Sequence, residues 1–496
     1  MSSQSITVAV PGLISAPLAV SNARRWTIVG LLFTASLINY FDRATISFAL
    51  PLISDELKLG PVEKGRLLSS FFWSYALMQI PLGWCADRLN LRWLYAGAFA
   101  LWSIAQGLTG LAAGLGMLMA FRVLLGLGEA IYLPGGSKIV SLLFARSERG
   151  LPSGLFDFGT RTGLVIEGLL VPWMLKHWGW RATFVIVGFT ALLWLVPWLL
   201  ALPGRLSLQG AVATPAERRG TWPEFLTVLG CSAALLASLF FFLSLDKLPR
   251  LPIFLPLALL WGAALVFGIW FLPLKPRAPS AGGSAATLRR LLAAARNRNL
   301  LGICLGFFCF DYYWYLLVTW LPDYLVTVRH LTIMKAGLSV ALPFLVFGVS
   351  EPIGGWLADR LIRFGWDESR TRKGIVTVAF LTGLFLIPAA QVESASTAIW
   401  LVIGGSLVGL ATGNLLVILQ SCSPSEEIGL WTGLYNFVGN VAGILAPLVT
   451  GLLIKATGSY TPAFVLAAVA IAAGQLSFWF IVGPLPRDSQ NALPTS

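Results

Sequence analysis

Apolar residues come in runs of about 20 along this chain, separated by short stretches that hold most of the charge. That is the length a helix needs to cross roughly 30 Å of hydrocarbon. Six such runs lie at 26–50, 66–84, 93–113, 116–143, 152–175 and 180–203. Six more lie at 299–328, 336–360, 373–394, 397–420, 428–454 and 461–484. Between the sets, 223–245 and 251–274 bring the predicted spans to fourteen. The short link 246–250 makes this central pair a hairpin, read as a lipid-facing connection between two halves.

The pattern is duplicated. GWCADRL at 83–89 returns as GWLADRL at 355–361, each copy closing a span and opening a basic loop. GLFDFGTRTG from Gly154 matches GLYNFVGNVAG from Gly433, and WGWRATFV from Trp178 matches TGSYTPAFV from Thr457. A repeat of this length implies two bundles built on one plan. The expected fold is all-α and integral to the membrane, with two pseudo-symmetric six-helix bundles and the extra hairpin between them. In such proteins the halves rock around a site at their interface. The predicted organisation is a tail at 1–25, one bundle at 26–203, a central region at 204–298, a second bundle at 299–484 and a tail at 485–496. Within the central region, 275–298 reads as a linker ending in a short interfacial helix.

Composition agrees with burial in lipid. Of 496 residues 57% are apolar and 11% charged, with a mean hydropathy of +0.78. A soluble surface of this size needs more charge. With the N-terminus in the cytoplasm, 21 of the 35 basic residues fall on the cytoplasmic side and 10 outside, and Arg43, Arg122, Lys138 and Arg161 lie within spans. That bias predicts a multi-pass inner-membrane protein with both termini cytoplasmic. The net charge of +13 then reports topology, and a nucleic-acid surface is not expected. Residues 1–23 lack a basic n-region, so no cleaved signal peptide is expected. Five cysteines without a CxxC pair, and only two histidines (His177 and His330), argue against a structural metal or a disulfide framework. No nucleophile and base constellation suggests an enzyme.

Charges inside the spans are the functional candidates, because each costs roughly 2.5–3.5 kcal/mol at the bilayer centre. Asp42, Arg43, Arg122, Glu129, Asp157, Arg161 and Asp311 must therefore face the bundle interior. Counting residues from the outer span ends puts Asp42 level with Arg122 and predicts an ion pair between them. Glu129 is seven residues past Arg122, two turns along the same face and roughly 10 Å deeper. Asp42 and Glu129 are read as proton-coupling carboxyls. When both are neutral, Arg43 and Arg122 lose their internal partners and take a substrate carboxylate. The rival reading is a static network tying the first helix to the fourth. Asp157 and Arg161 are four apart, which fits an intrahelical pair; alternatively Arg161 is a second cation for a second acidic group. Asp311 stands among Tyr312, Tyr313, Trp314 and Tyr315, as a third titrating site or as the partner of Arg161. Lys138 lies near a span end and snorkels, while Glu167 and Glu351 receive no role.

The duplicated GWxADRL resembles the loop signature of the major facilitator superfamily. INYFDRATISFALP from Ile38, FFWSYALMQIPLGW from Phe71, FRVLLGLGEAIYLPGG from Phe121 and LVTWLPDYL from Leu317 are similar to its organic anion/proton symporters, which include sugar-acid carriers. The similarity spans the chain apart from the tail, the hairpin and the linker. It implies the same coupling carboxyls, and it adds Tyr40, Tyr75 and Thr160 as substrate contacts, with Asn436 holding the hydroxyl end from the opposite half. Thr160 stands where sugar-acid carriers often have Gln, Asp311 where an Asn is expected, and Leu416 or Val417 where an aromatic is expected. Gly83, Asp87, Arg88, Arg92, Asp359 and Arg360 would form a cytoplasmic gate, with Asn90 and Leu91 departing from the signature. The expected function is proton-coupled import of a small organic anion, most simply a sugar acid, by a monomer that needs no cofactor beyond the coupling proton. An anion or organophosphate exchanger is the alternative, and a nutrient sensor ranks last.

Overall fold

The computed structural model describes residues 20–144, 150–202, 226, 229–230, 293–424 and 428–485. The first half comprises α1 (Asn22–Leu57), α2 (Pro61–Arg88), α3 (Leu91–Thr109), α4 (Leu115–Glu129), α5 (Tyr132–Leu143), α6 (Gly150–Ala191) and α7 (Leu195–Ala201). The second comprises α8 (Arg298–Thr327), α9 (Ile333–Arg363), α10 (Glu368–Thr382), α11 (Leu386–Gln391), α12 (Ala395–Gly405), α13 (Thr412–Cys422), α14 (Ile428–Thr457) and α15 (Thr461–Phe480). Short 3₁₀ turns at Leu192–Trp194, Gly383–Phe385 and Ser406–Ala411 join α6 to α7, α10 to α11 and α12 to α13 into longer rods. Eight helices among the described residues are long and apolar enough to cross a membrane. Where they are described, the twelve runs of the two halves lie mainly on helices. The central hairpin at 223–274, and with it the predicted total of fourteen spans, lies outside the described residues except at 226 and 229–230.

Helix ends follow the local sequence. Asn90 caps α3 by accepting from the Arg92 amide at 3.0 Å, and Asp367 caps α10 through the Arg370 amide at 2.9 Å. The glycines of the two matched motifs WGW and TGS share a positive φ. Gly179 and Gly458 adopt φ of 72° and 69°, a conformation open to glycine without steric cost. Gly179 thereby splits α6 into rods at 150–178 and 180–191. The duplication read from residue letters thus extends to the φ of these two glycines.

The halves pair alike: α1 packs on α6 in the first, and α8 on α14 in the second. Among the described residues the halves meet chiefly where α2 packs on α14, α6 on α9 and α1 on α8. Apolar side chains such as Leu193, Leu200, Trp400 and Phe480 remain exposed on the outer faces, as a lipid-facing surface requires. The GWxADRL loops mark one end of the bundle, here the motif end.

At the far end the halves meet closely. A Cβ on Gly65 would lie 2.7 Å from the Pro447 carbonyl oxygen, and one on Gly451 would run into the Pro61 carbonyl. Only glycine lets α2 and α14 approach this far. Beside them Lys64 pairs with buried Asp323 at 3.0 Å, and the Tyr460 hydroxyl donates to the same carboxylate. Gly65→Val is expected to cost roughly 1–3 kcal/mol through overpacking, seen as a lower unfolding midpoint in detergent. An unchanged midpoint would mean the two helices do not pack there.

Candidate functional site

Arg43 is the centre of the charged cluster. It projects from α1 into the first bundle at 3% exposure, and its Nη2 and Nε donate to Glu129 Oε2 at 3.0 and 3.3 Å. Nη2 also donates to Asn39 Oδ1, one turn back on α1, at 3.2 Å. Three rings enclose the guanidinium, with Tyr40, Phe71 and Tyr75 centroids 4.6, 4.7 and 4.5 Å from Cζ. Such cation–π contacts suit a delocalised cation withdrawn from water. Phe72, next to Phe71 on α2, reaches across the interface to Tyr315 on α8, with ring centroids 4.5 Å apart. Tyr315 in turn donates to Asn440 on α14 at 3.1 Å.

The predicted Asp42–Arg122 ion pair is not formed. Arg122 donates from Nη2 to the Arg43 carbonyl at 3.3 Å and lies over Phe71, with its centroid at 5.0 Å. Both Asp42 oxygens are buried without a hydrogen-bond partner, and Gln106 on α3 donates to the Asp42 backbone carbonyl at 3.1 Å. The reason is side-chain direction. Helical side chains lean toward their own N-terminus. On antiparallel α1 and α4 that sends Arg43 toward the motif end and Glu129, and Arg122 the opposite way.

The predicted Asp157–Arg161 pair is likewise not formed. Arg161 crosses the interface to Glu351 on α9, with Nη2 at 2.6 Å and Nε at 3.1 Å from Oε1. It also lies over Trp314 and Phe347, whose centroids are 4.8 and 5.0 Å from Cζ. Asp157 instead accepts from Tyr132 at 3.4 Å. Asp311 forms no ion pair among the described residues; its carboxylate sits against Gly439. Thr160 is buried and spends its hydroxyl on the Asp157 carbonyl at 2.7 Å. Asn436 contributes its carbonyl to Asn440 Nδ2 at 2.8 Å. Asn440, one turn further along the same face, is therefore the residue that meets Tyr315.

Among the described side chains no gate residue pairs across the halves at the motif end. Arg92 donates to the Leu199 carbonyl at 2.6 Å within the first half. Asp359 pairs with Arg372 at 2.9 Å within the second. Arg360 lies over Trp356 and Phe364 of its own helix. Gly83 sits on α2 against Pro134. The Asp87 and Arg88 side chains lie outside the described residues. Among the described residues the ion pairs that do cross are Arg161–Glu351 and Lys64–Asp323. The sequence reading missed the latter, because a Lys and an Asp near span ends look like ordinary loop charges. No cluster of metal-ligating side chains occurs among the described residues.

Comparison with known proteins decides the family. Residues 32–257 and 249–447 match the Major Facilitator Superfamily. The chain belongs to it. The transporter is 29% identical to a "probable galactarate/D-glucarate transporter" of Bacillus subtilis, over 95% of this chain and 94% of that one. It is 28% identical to the D-galactonate transporter of Escherichia coli O6:H1, over 94% of this chain and 97% of that one. Its fold is shared with a bacterial homolog of the human lysosomal transporter Spinster, solved inward-facing and unoccupied, at a TM-score of 0.66 and 18% identity over 93% of this chain and 98% of that one. A peptide transporter in complex with sulfate matches at 0.66 and 16% identity, over 94% of this chain and 96% of that one.

The transporter also has a groove of about 460 Å³ between α1 and α6, bordered by Asp42. Ile166, Leu170, Trp173 and Met174 line much of the rest. Its lining among the described residues offers an anion no cation.

Proposed function

We propose that this transporter imports a small sugar acid, such as a hexonate, hexuronate or aldarate, by proton symport with alternating access. In this reading it lies in the inner membrane with both termini cytoplasmic and works as a monomer. The observation that carries the reading is Arg43, a buried guanidinium walled by aromatic rings and held by a single Glu129 oxygen. A proton on Glu129 removes that counter-charge. The freed guanidinium then suits a carboxylate, which it can grip through two parallel hydrogen bonds. Removing the anion restores the Glu129 bond and favours loss of the proton, so each event requires the other. Tyr40 and Tyr75 border the same cation, and Tyr315 and Asn440 bring hydroxyl and amide groups from the second half. Such groups suit the hydroxylated chain of a sugar acid. The names of the relatives support this substrate class.

Arg161–Glu351 and Lys64–Asp323 are charge pairs of the kind that break and re-form when halves rock. Uptake into proteoliposomes tests the proposal, with hexonates, hexuronates and aldarates compared with and without an inward proton gradient. Gradient-dependent accumulation of one class is the expected result. Exchange of a preloaded anion without accumulation would favour the exchanger.

A further inference from the structure

Glu167 lies on α6 and is wholly buried, with neither carboxylate oxygen hydrogen-bonded. α6 packs along α1, with Gly159 against Phe33 and Ser36 and Gly163 against Leu37, so Glu167, one turn beyond Gly163, comes level with Phe41 and Asp42; Asp42 and Arg122 are the charges that act on it. Both are nearly or wholly buried, and both retain unpartnered polar atoms: the two Asp42 oxygens, and Nε and Nη1 of Arg122. Arg43 on α1 and Glu129 on α4 balance each other as an ion pair, while the second Glu129 oxygen, also unpartnered, adds its negative charge to the surroundings of Asp42 and Arg122. On the other sides, α3 brings uncharged Gln106 to the Asp42 backbone, and α9 meets the neighbouring Gly168 through Gly337 and Ala341.

Counting charge leaves one cation, Arg122, against two carboxyls. If both were ionised, one negative charge would stay buried without compensation, a state proteins avoid. One proton distributed over the two balances the set, and two carboxyls so placed titrate as a unit. We propose that Glu167 is a third proton-carrying carboxyl, sharing one proton with Asp42 across Arg122. A second proton entering this pair leaves Arg122 without a counter-charge, the condition that protonating Glu129 creates at Arg43. The transporter then has three protonatable sites and two cations that can be freed in turn. That this proton moves during transport rests on the symport reading; the sharing itself does not.

Infrared difference spectroscopy on the purified full-length protein, followed through a pH titration, reads protonated buried carboxyls directly. Wild type is expected to show a carboxyl C=O band from the shared proton. Glu167→Gln should remove that band or replace it with one at the Asp42 frequency and a shifted midpoint, and Asp42→Asn should shift it reciprocally. A buried-carboxyl band and midpoint unchanged in Glu167→Gln would overturn the proposal. Should that variant fail to fold, Glu167→Asp provides the second test: a displaced band supports sharing, and an unmoved one refutes it. A wild type that shows the shared proton but no gradient-driven uptake of D-glucarate would overturn symport and leave this inference standing.

Discussion

Glu129→Gln is expected to abolish gradient-driven accumulation while exchange of substrate across the membrane survives. Glu129 is the one anion hydrogen-bonded to Arg43 among the described residues. Replaced by a neutral amide, it no longer competes with a substrate carboxylate, so the anion binds whether or not a proton has arrived. One pH unit is worth about 1.4 kcal/mol per coupled proton, a tenfold accumulation. The variant should lose that factor for each proton it no longer carries. Substrate affinity at neutral pH should rise, since the internal competitor is gone. Asp42→Asn is expected to uncouple in the same way. Removing the charged partner of a buried cation costs about 3–5 kcal/mol, so unfolding midpoints need to be compared alongside transport. Full accumulation in both variants would refute these two carboxyls as coupling groups.

Arg161→Gln and Glu351→Gln are expected to move substrate preference in opposite directions. Arg161 is held across the interface by Glu351 at 2.6 Å, so a second acidic group on a substrate must displace Glu351 to reach it. Freeing Arg161 in Glu351→Gln should favour dianionic D-glucarate over monoanionic D-galactonate by about tenfold, the equivalent of about 1.4 kcal/mol. Arg161→Gln should weaken the diacid and spare the monoacid. The double-mutant cycle should give a coupling of roughly 0.5–3 kcal/mol. Equal effects on both substrates would make the pair a latch between the halves and nothing more.

Much of the fold was legible before any coordinates. Spans are set by the length of apolar runs against the thickness of hydrocarbon, a one-dimensional constraint that residue order carries in full. The repeat was legible for a similar reason, since Gly179 and Gly458 occupy matched motifs and share a positive φ. The charges inside the spans could be picked out too, because a charge in a span is costly enough to need a partner. The partners could not. Depth counting ignored which way long side chains lean, and so joined Asp42 to Arg122 when Arg43 reaches Glu129. It also favoured neighbours in sequence, Asp157 and Arg161, over a partner 190 residues away.

By itself the sequence determined that the chain is helical and crosses the membrane repeatedly, that its motifs are duplicated, and which charges fall within apolar runs. Those properties follow from local composition and spacing. Only the tertiary structure decided that Arg43 belongs with Glu129, that Arg161 spans the interface, and that Asn440 rather than Asn436 meets Tyr315. Such pairings depend on helix packing and side-chain direction between segments far apart in the chain, and no local pattern encodes either.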